Sequence, residues 1–566
     1  MSAAPEPGVG EDVGRDRRSV WWRGPFPVLT LAGVVVGILT QWWLHAHRSL
    51  GSLNLDEATF TTQSLRLFRH ARDGAGTSFL TQLGETAPLV PLSTLAPLAV
   101  GVRSTNGLLV VQSGFHLVAV LATASVVRRV RGDRAAVVAG IVALASSGLL
   151  TATRALHFGV AVAATLMVAL ACLAASEGGR RVAPMAGFGA AVGLLAISRS
   201  MALAYLPAVL AAAAVVLRPT RLDRRGASAA VAAAAATALW WWVPHGARTW
   251  EYLVGFGYDE RRRGDLERPL WSRVPYRVAD AVSHVGGLVA VAALVAVVGG
   301  TWCLRRRGWR PARRPWSERT RLVAALAVTA TVGYLALFST YNDGQFFSLA
   351  LLFPLVAIGV ILGGELPGRL RGAVGVAASV AALAGGTLSF LGPPPSAGAA
   401  VGLWQSVDLY SIRSEVLVDD GAGGAWWDVS RRTARAVGEL ERPDRLVELT
   451  VVGNASPRTN AATVTLAVEL VALEQGRPPP PVGGVVGDEP VDVLEARLRP
   501  RIGGRTNVVV VVLPARSTLW GAAETRSFRA RAGRAGWEVR TTVAHPDGGR
   551  TEVLTHPEGA RSAGDG

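Results

Sequence analysis

Residues 27–44 read PVLTLAGVVVGILTQWWL, and shortly beyond them comes Leu53-Asn54-Leu55-Asp56-Glu57-Ala58. The first stretch is close to the roughly 20 apolar residues that a spanning helix needs. The second sets two carboxylates directly after it, where acids are costly near lipid and mark sites more often than packing. Arg15, Arg17, Arg18 and Arg23 precede the span. Because positive residues stay on the cytoplasmic side, the N-terminus is expected inside and the acid pair outside. The polar, Pro/Gly-containing residues 1–24 do not resemble a cleavable signal peptide, so the first span is expected to remain as an anchor.

The same reading extends along the chain. Half of the 566 residues are hydrophobic and the mean hydropathy is +0.32. That balance fits a polytopic helical membrane protein and not a soluble enzyme of this length. The net charge of +17 does not indicate nucleic acid, because the arginines sit in short clusters between apolar runs, as in cytoplasmic loops. Cys172 and Cys303 lie in or beside apolar spans, so neither a disulfide nor a cysteine metal site is expected.

Ten further spans follow from length and loop charge: Gly107 to Val127, Ala135 to Leu150, Gly159 to Ala175, Pro184 to Ile197, Ala202 to Leu217, Ala227 to Val243, Ala281 to Leu304, Leu322 to Phe338, Phe346 to Leu362 and Gly372 to Leu391. With the first, about eleven are expected. Residues 1–24 form a cytoplasmic tail and 25–392 the membrane domain, with outer loops at 45–105 and 244–280. Within the first loop, Leu65, Leu67, Phe68, Arg66, Arg69 and Arg72 predict an interfacial helix. Pro88 to Val102 is too short and too rich in proline to span.

After Gly392-Pro393-Pro394-Pro395 the long apolar runs end. Residues 393–566 alternate strand-like stretches (Arg445 to Val452, Asn507 to Leu513, Trp537 to Val543) with helical ones (Ala461 to Gln475, Trp520 to Ala532). This predicts a small α/β domain outside the cytoplasm.

Several residues are candidates for chemistry. Asp56 or Glu57 could act as general base on an acceptor hydroxyl, the other holding the acceptor or a cation; the pair would equally complement a helix dipole. Arg199, in Ser198-Arg199-Ser200, could grip a phosphate through paired hydrogen bonds or merely snorkel. Arg261 and Arg262, in an outer loop against the sorting rule, offer further phosphate binding, or a solvated loop. Tyr341, Asn342, Asp343 and Gln345 can hydrogen-bond sugar hydroxyls, or form a polar turn around Gly344. His157, at the outer end of a span, is a further candidate for substrate binding; a lone histidine there is more often structural, and metal binding is unproven. Neither a phosphate-binding Gly-rich Lys loop, a nucleophile elbow nor a zinc-protease helix occurs.

Three segments resemble the class C (GT-C) membrane glycosyltransferases, the group that includes bacterial aminoarabinose transferases and protein O-mannosyltransferases. Leu55-Asp56-Glu57-Ala58 is similar to their Asp-Glu-Ala signature. Gly84-Glu85-Thr86-Ala87-Pro88-Leu89 is similar to the Lys/His-Pro-Pro-Leu segment that follows it. Leu195-Ala196-Ile197-Ser198-Arg199-Ser200 resembles their Leu-Thr-Lys, with Arg in place of Lys. Residues 240–258 resemble actinobacterial members, and the likeness covers roughly residues 25–390.

The resemblance implies transfer of a hexosyl or pentosyl group from a polyprenyl-phosphate-linked donor to a cell-envelope glycan, lipid or protein hydroxyl on the outer face of the plasma membrane. Inversion would occur in one displacement, with Asp56 as base, Glu57 beside it and Arg199 on the donor phosphate; membrane lipids surround the protein. Two departures matter. The family's second outer acid is replaced by Arg154-Ala155-Leu156-His157, which removes one ligand of a bridging divalent cation. Gln345-Phe346-Phe347 stands where a late Arg-Tyr pair is expected, so phosphate binding would move to the Arg261 cluster. A transporter or flippase for a lipid-linked substrate would show paired halves and charges within spans; a non-catalytic envelope scaffold would not need the missing acid.

Overall fold

The computed structural model describes residues 24–48, 55–74, 87–102, 104–217, 222–258, 278, 282, 285–306, 317–338, 345–391, 423–440, 446–453, 459–475, 479–480, 482–486, 505–513 and 522–556. A helical layer occupies the first two thirds. Its helices are α1 (Phe26–His47), α2 (Leu55–Arg72), α3 (Val110–Arg131), α4 (Asp133–Ala145), α5 (Phe158–Ala175), α6 (Val182–Ala196), α7 (Leu206–Val216), α8 (Arg224–Tyr258), α9 (Gly287–Arg306), α10 (Glu318–Phe338), α11 (Gln345–Gly363) and α12 (Gly368–Leu388).

Among the described residues, six helices are long and apolar enough to cross a membrane, or seven if one bent pair counts as a span. Leu89–Ala99, Val182–Ala196, Ala202–Val216 and Leu349–Gly363 are apolar but shorter. The bent pair covers the stretch expected as one span over 135–150. The helix breaks at Ser146, and the two pieces differ in direction by 55°. Ser146 is non-helical (φ −59°, ψ 123°), and its hydroxyl donates back to the Val142 carbonyl, a local bond that competes with the helix ladder. Gly132, at φ 80°, allows the sharp reversal from α3 into α4.

α5 is the central helix, with 78% of its span window buried, so it reads apolar on every face. Small residues set the closest crossing. A Cβ added at Gly189 of α6 would overlap the Ala230 carbonyl of α8, and one at Gly193 would overlap the Thr237 hydroxyl. Backbones this close are the usual consequence of glycine at a helix crossing in lipid.

The last third contains α13 (Gly423–Leu440), β1 (Leu446–Val452), α14 (Ala461–Glu474), β2 (Val482–Val486), β3 (Arg505–Leu513), α15 (Ala522–Arg534), β4 (Glu538–Ala544) and β5 (Arg550–Thr555). The strands form one sheet of order β2-β1-β3-β5-β4. β1 is parallel to β2 and β3; β5 is antiparallel to β3 and β4. Val508, Val510 and Val512 face α13 and α14, while Val509, Val511 and Leu513 face α15. A strand covered on both sides explains the uninterrupted valine run. β2 and β5, each short, escaped the sequence reading. α14 begins with a capping box in which the Asn460 side chain accepts from the Thr463 amide and the Thr463 hydroxyl accepts from the Asn460 amide.

α2 is the helix expected over the Leu65 to Arg72 stretch. It is enclosed by protein on two sides. Ala58 and Leu65 pack with Ala462 and Leu466 of α14, and Leu67 packs with Ile197 and Trp241 from the helical layer. Arg66 and Arg69 both pair with Glu469 of α14, whose side chain is only 1% exposed. Burial, with Arg66 adding repulsion, lowers the Arg69 pKa to about 10.

Candidate active site

Asp56 and Glu57 both lie in the first turn of α2, where their negative charge suits the helix dipole. Glu57 is enclosed. Its side chain is 1% exposed and forms an ion pair with Arg48 at 2.5 Å. Its other oxygen accepts from the Leu156 amide at 2.8 Å.

Arg48 follows α1 and also donates to the Arg154 carbonyl at 2.7 Å. Asn106 holds the Arg48 carbonyl at 2.9 Å. The Arg154 side chain runs the other way. It donates to the Ser389 carbonyl and hydroxyl at 2.9 and 3.0 Å, and its guanidinium lies 4.0 Å from the Trp43 ring and 4.8 Å from the Phe390 ring. One chain of charge-assisted hydrogen bonds and cation–π contacts thus ties the ends of α1, α2 and α12 to the turn before α5. Nothing in the local sequence marks Arg48 or Arg154; their roles arise from contacts 9 to 235 residues distant.

At the position of the second acid that the resemblance implies, the chain therefore carries a buried cation, Arg154.

Phe60 lies about one turn along α2 from Asp56. The Phe60 ring stands edge-on to His157 and Phe158, with centroids 6.2 and 6.3 Å away. Arg199 caps this aromatic group, its guanidinium 3.5 Å from the Phe158 ring centroid. His157 is buried, its ring 3.8 Å from that of Phe158, and Gln112 donates to its carbonyl at 2.7 Å. The segment beginning at Ala87 reaches the same place: the Leu89 amide donates to the Ile197 carbonyl at 3.1 Å, two residues before Arg199. Trp241 packs on Ile197 and stacks on His245 at 5.7 Å.

The motif segments at 55–58, 87–89 and 195–199 therefore meet at one end of the bundle. Gln345 begins α11. Arg261, Arg262, Tyr341, Asn342 and Asp343 lie outside the described residues.

The fold that carries this arrangement is similar to that of solved ArnT structures. The chain is similar to ArnT from Cupriavidus metallidurans bound to undecaprenyl phosphate, with a TM-score of 0.55 and 14% identity, over 96% of this chain and 99% of that one. It is equally similar to the apo state of ArnT, with a TM-score of 0.55 and 15% identity over 94% and 97% of the two chains. An Archaeoglobus fulgidus oligosaccharyltransferase matches at a TM-score of 0.45 and 12% identity, over 86% of this chain and 67% of that one. No family profile and no curated protein sequence matches the chain.

Proposed function

We propose that this protein is a multi-pass plasma-membrane glycosyltransferase that moves a sugar from a polyprenyl-phosphate donor to a hydroxyl of a cell-envelope acceptor. Undecaprenyl phosphate in ArnT of the same fold supports the donor class. In this reading the Asp56 end of the bundle is the outer one, the N-terminus is cytoplasmic, the bent pair with α6, α7, α10 and α11 completes about eleven spans, and the sheet-containing third lies outside.

The observation that carries the reading is convergence. Segments more than a hundred residues apart meet around Phe60, Phe158 and Arg199, beside the helix turn that contains Asp56. Asp56 is the proposed base: it takes the proton from the acceptor hydroxyl as that oxygen bonds to the anomeric carbon and the donor phosphate leaves. The configuration inverts, because attack and departure occur on opposite faces. Arg199 neutralises the charge that gathers on the leaving phosphate. His157, Gln345, Tyr341, Asn342 and Asp343 are proposed for the sugar, and Arg261 and Arg262 for the phosphate.

Glu57 is assigned a different part. With both oxygens engaged by Arg48 and the Leu156 amide, it braces the turn that holds Asp56.

The decisive experiment compares Asp56→Asn with wild type in membranes supplied with polyprenyl-phosphate-linked sugars, beside mass spectrometry of envelope glycans from a deletion strain. Loss of transfer at unchanged thermal stability supports the base. Full transfer by Asp56→Asn rejects it, and a deletion strain with an unaltered glycan profile favours the scaffold.

A further inference from the structure

Helices α4, α9, α11 and α12 stand in a ring around a cavity of about 650 Å³, well within the range of roughly 300–1,000 Å³ typical of ligand sites. Its depth is apolar, walled by Val138, Val142, Val289 and Val356 and closed by the cluster that includes Ala145 and Ala382. Its rim is basic, formed by Arg131, Arg134 and Arg371.

The neighbouring acids are engaged elsewhere on this rim: Glu365 pairs with Arg131, which also donates to the Ile361 carbonyl, and Asp133 pairs with Arg128. Arg134 and Arg371 are exposed, and neither forms an ion pair among the described residues. Two uncompensated guanidinium groups thus stand at the mouth of an apolar cavity.

We propose that this cavity binds an anionic phospholipid, with the phosphate between Arg134 and Arg371 and an acyl chain inside. The chemistry selects an amphiphile. A free anion would satisfy the arginines and leave the apolar depth empty. Water finds too few polar groups there to fill it. A neutral lipid would fill the depth and leave the charges unmatched. Basic pockets between membrane helices on the cytoplasmic side bind anionic head groups for this reason, and the positive-inside reading places this rim on that side.

The glycines of α12 agree. A Cβ at Gly372 would meet nothing within 4 Å, and one at Gly375 would meet only Val138, at 3.8 Å. Helix-interior glycine costs about 0.5–1 kcal/mol relative to alanine. No close crossing requires it at these two positions, and its effect is to keep the cavity open. The site lies at the end of the bundle opposite Asp56, so it does not rest on the proposed transfer reaction.

Native mass spectrometry of the full-length protein tests this, with dioleoyl phosphatidylglycerol competing against dioleoyl phosphatidylcholine. Wild type is expected to retain phosphatidylglycerol preferentially. The double variant Arg134→Gln/Arg371→Gln should weaken that retention by about thirtyfold, the effect expected of two arginines acting near a membrane surface. Arg134→Lys/Arg371→Lys should keep the preference, and Gly375→Leu, which fills the cavity and leaves the charges in place, should remove it. Equal retention of the two lipids by wild type overturns the proposal. So does retention that none of these variants alters, or a preference for polyprenyl phosphate over phosphatidylglycerol at this rim.

Discussion

Replacing Glu57 by Gln separates bracing from chemistry. The substitution keeps the side-chain volume and leaves an acceptor for the Leu156 amide, but it strips the charge opposite Arg48. Both members of the pair are out of solvent, at 0% and 1% side-chain exposure. Removing one partner of a buried pair costs about 3–5 kcal/mol, because the other charge stays buried and uncompensated. The retained Leu156 bond argues for the lower end, about 3 kcal/mol. Glu57→Ala also abandons the amide and should cost about 1–3 kcal/mol more.

At about 2–4 °C per kcal/mol, the Gln variant should melt about 6–12 °C below wild type. Chromatography after heating of the detergent-solubilised protein reads this directly, and Asp56→Asn in the same assay should melt with wild type. The double variant Arg48→Met/Glu57→Leu, which removes both charges, should recover much of the loss. A Glu57→Gln protein that melts with wild type refutes the reasoning. If that stable protein also fails to transfer sugar, Glu57 belongs to the chemistry.

Glu469→Ala leaves Arg66 and Arg69 facing one another beneath α14; the loss should be about 2–4 kcal/mol, reduced because Arg66 is 31% exposed, and faster hydrogen exchange across 461–474 reports it. Gly189→Ala should destabilise by about 1–3 kcal/mol, since the added methyl overlaps the Ala230 carbonyl, whereas Gly372→Ala, facing open space, should leave the melting temperature unchanged. Burial holds the His545 pKa below its ordinary 6.5 against the opposite pull of Asp547, so the unfolded chain takes up the proton first as pH falls below 6.5. Exchange protection over 538–555, corrected for intrinsic rates, should fall between pH 7.5 and 5, and His545→Gln should flatten that dependence. Burial would raise the Glu552 pKa, but the hydrogen bonds from Arg529 and Arg550 outweigh it and leave the pKa below 4.5. Its contribution is present above pH 4.5 and should be lost as the pH drops through the lowered value, a loss that Glu552→Gln removes.

From sequence alone, the helical membrane class and the first long apolar helix follow, because apolar run length is a local quantity set by lipid thickness. The strand at 505–513 is legible for a similar reason: five consecutive valines have little use except between two covered faces. The meeting of the Asp56, Leu89 and Arg199 segments was approachable only through family likeness. Tertiary structure alone encloses Glu57, makes Arg154 a buried tie, and packs α2 against α14. Those outcomes depend on pairs such as Glu57 with the Leu156 amide, 99 residues apart, and Arg66 with Glu469, 403 apart. A buried charge is tolerated only where its opposite arrives, and no local pattern of residues encodes which distant group that will be.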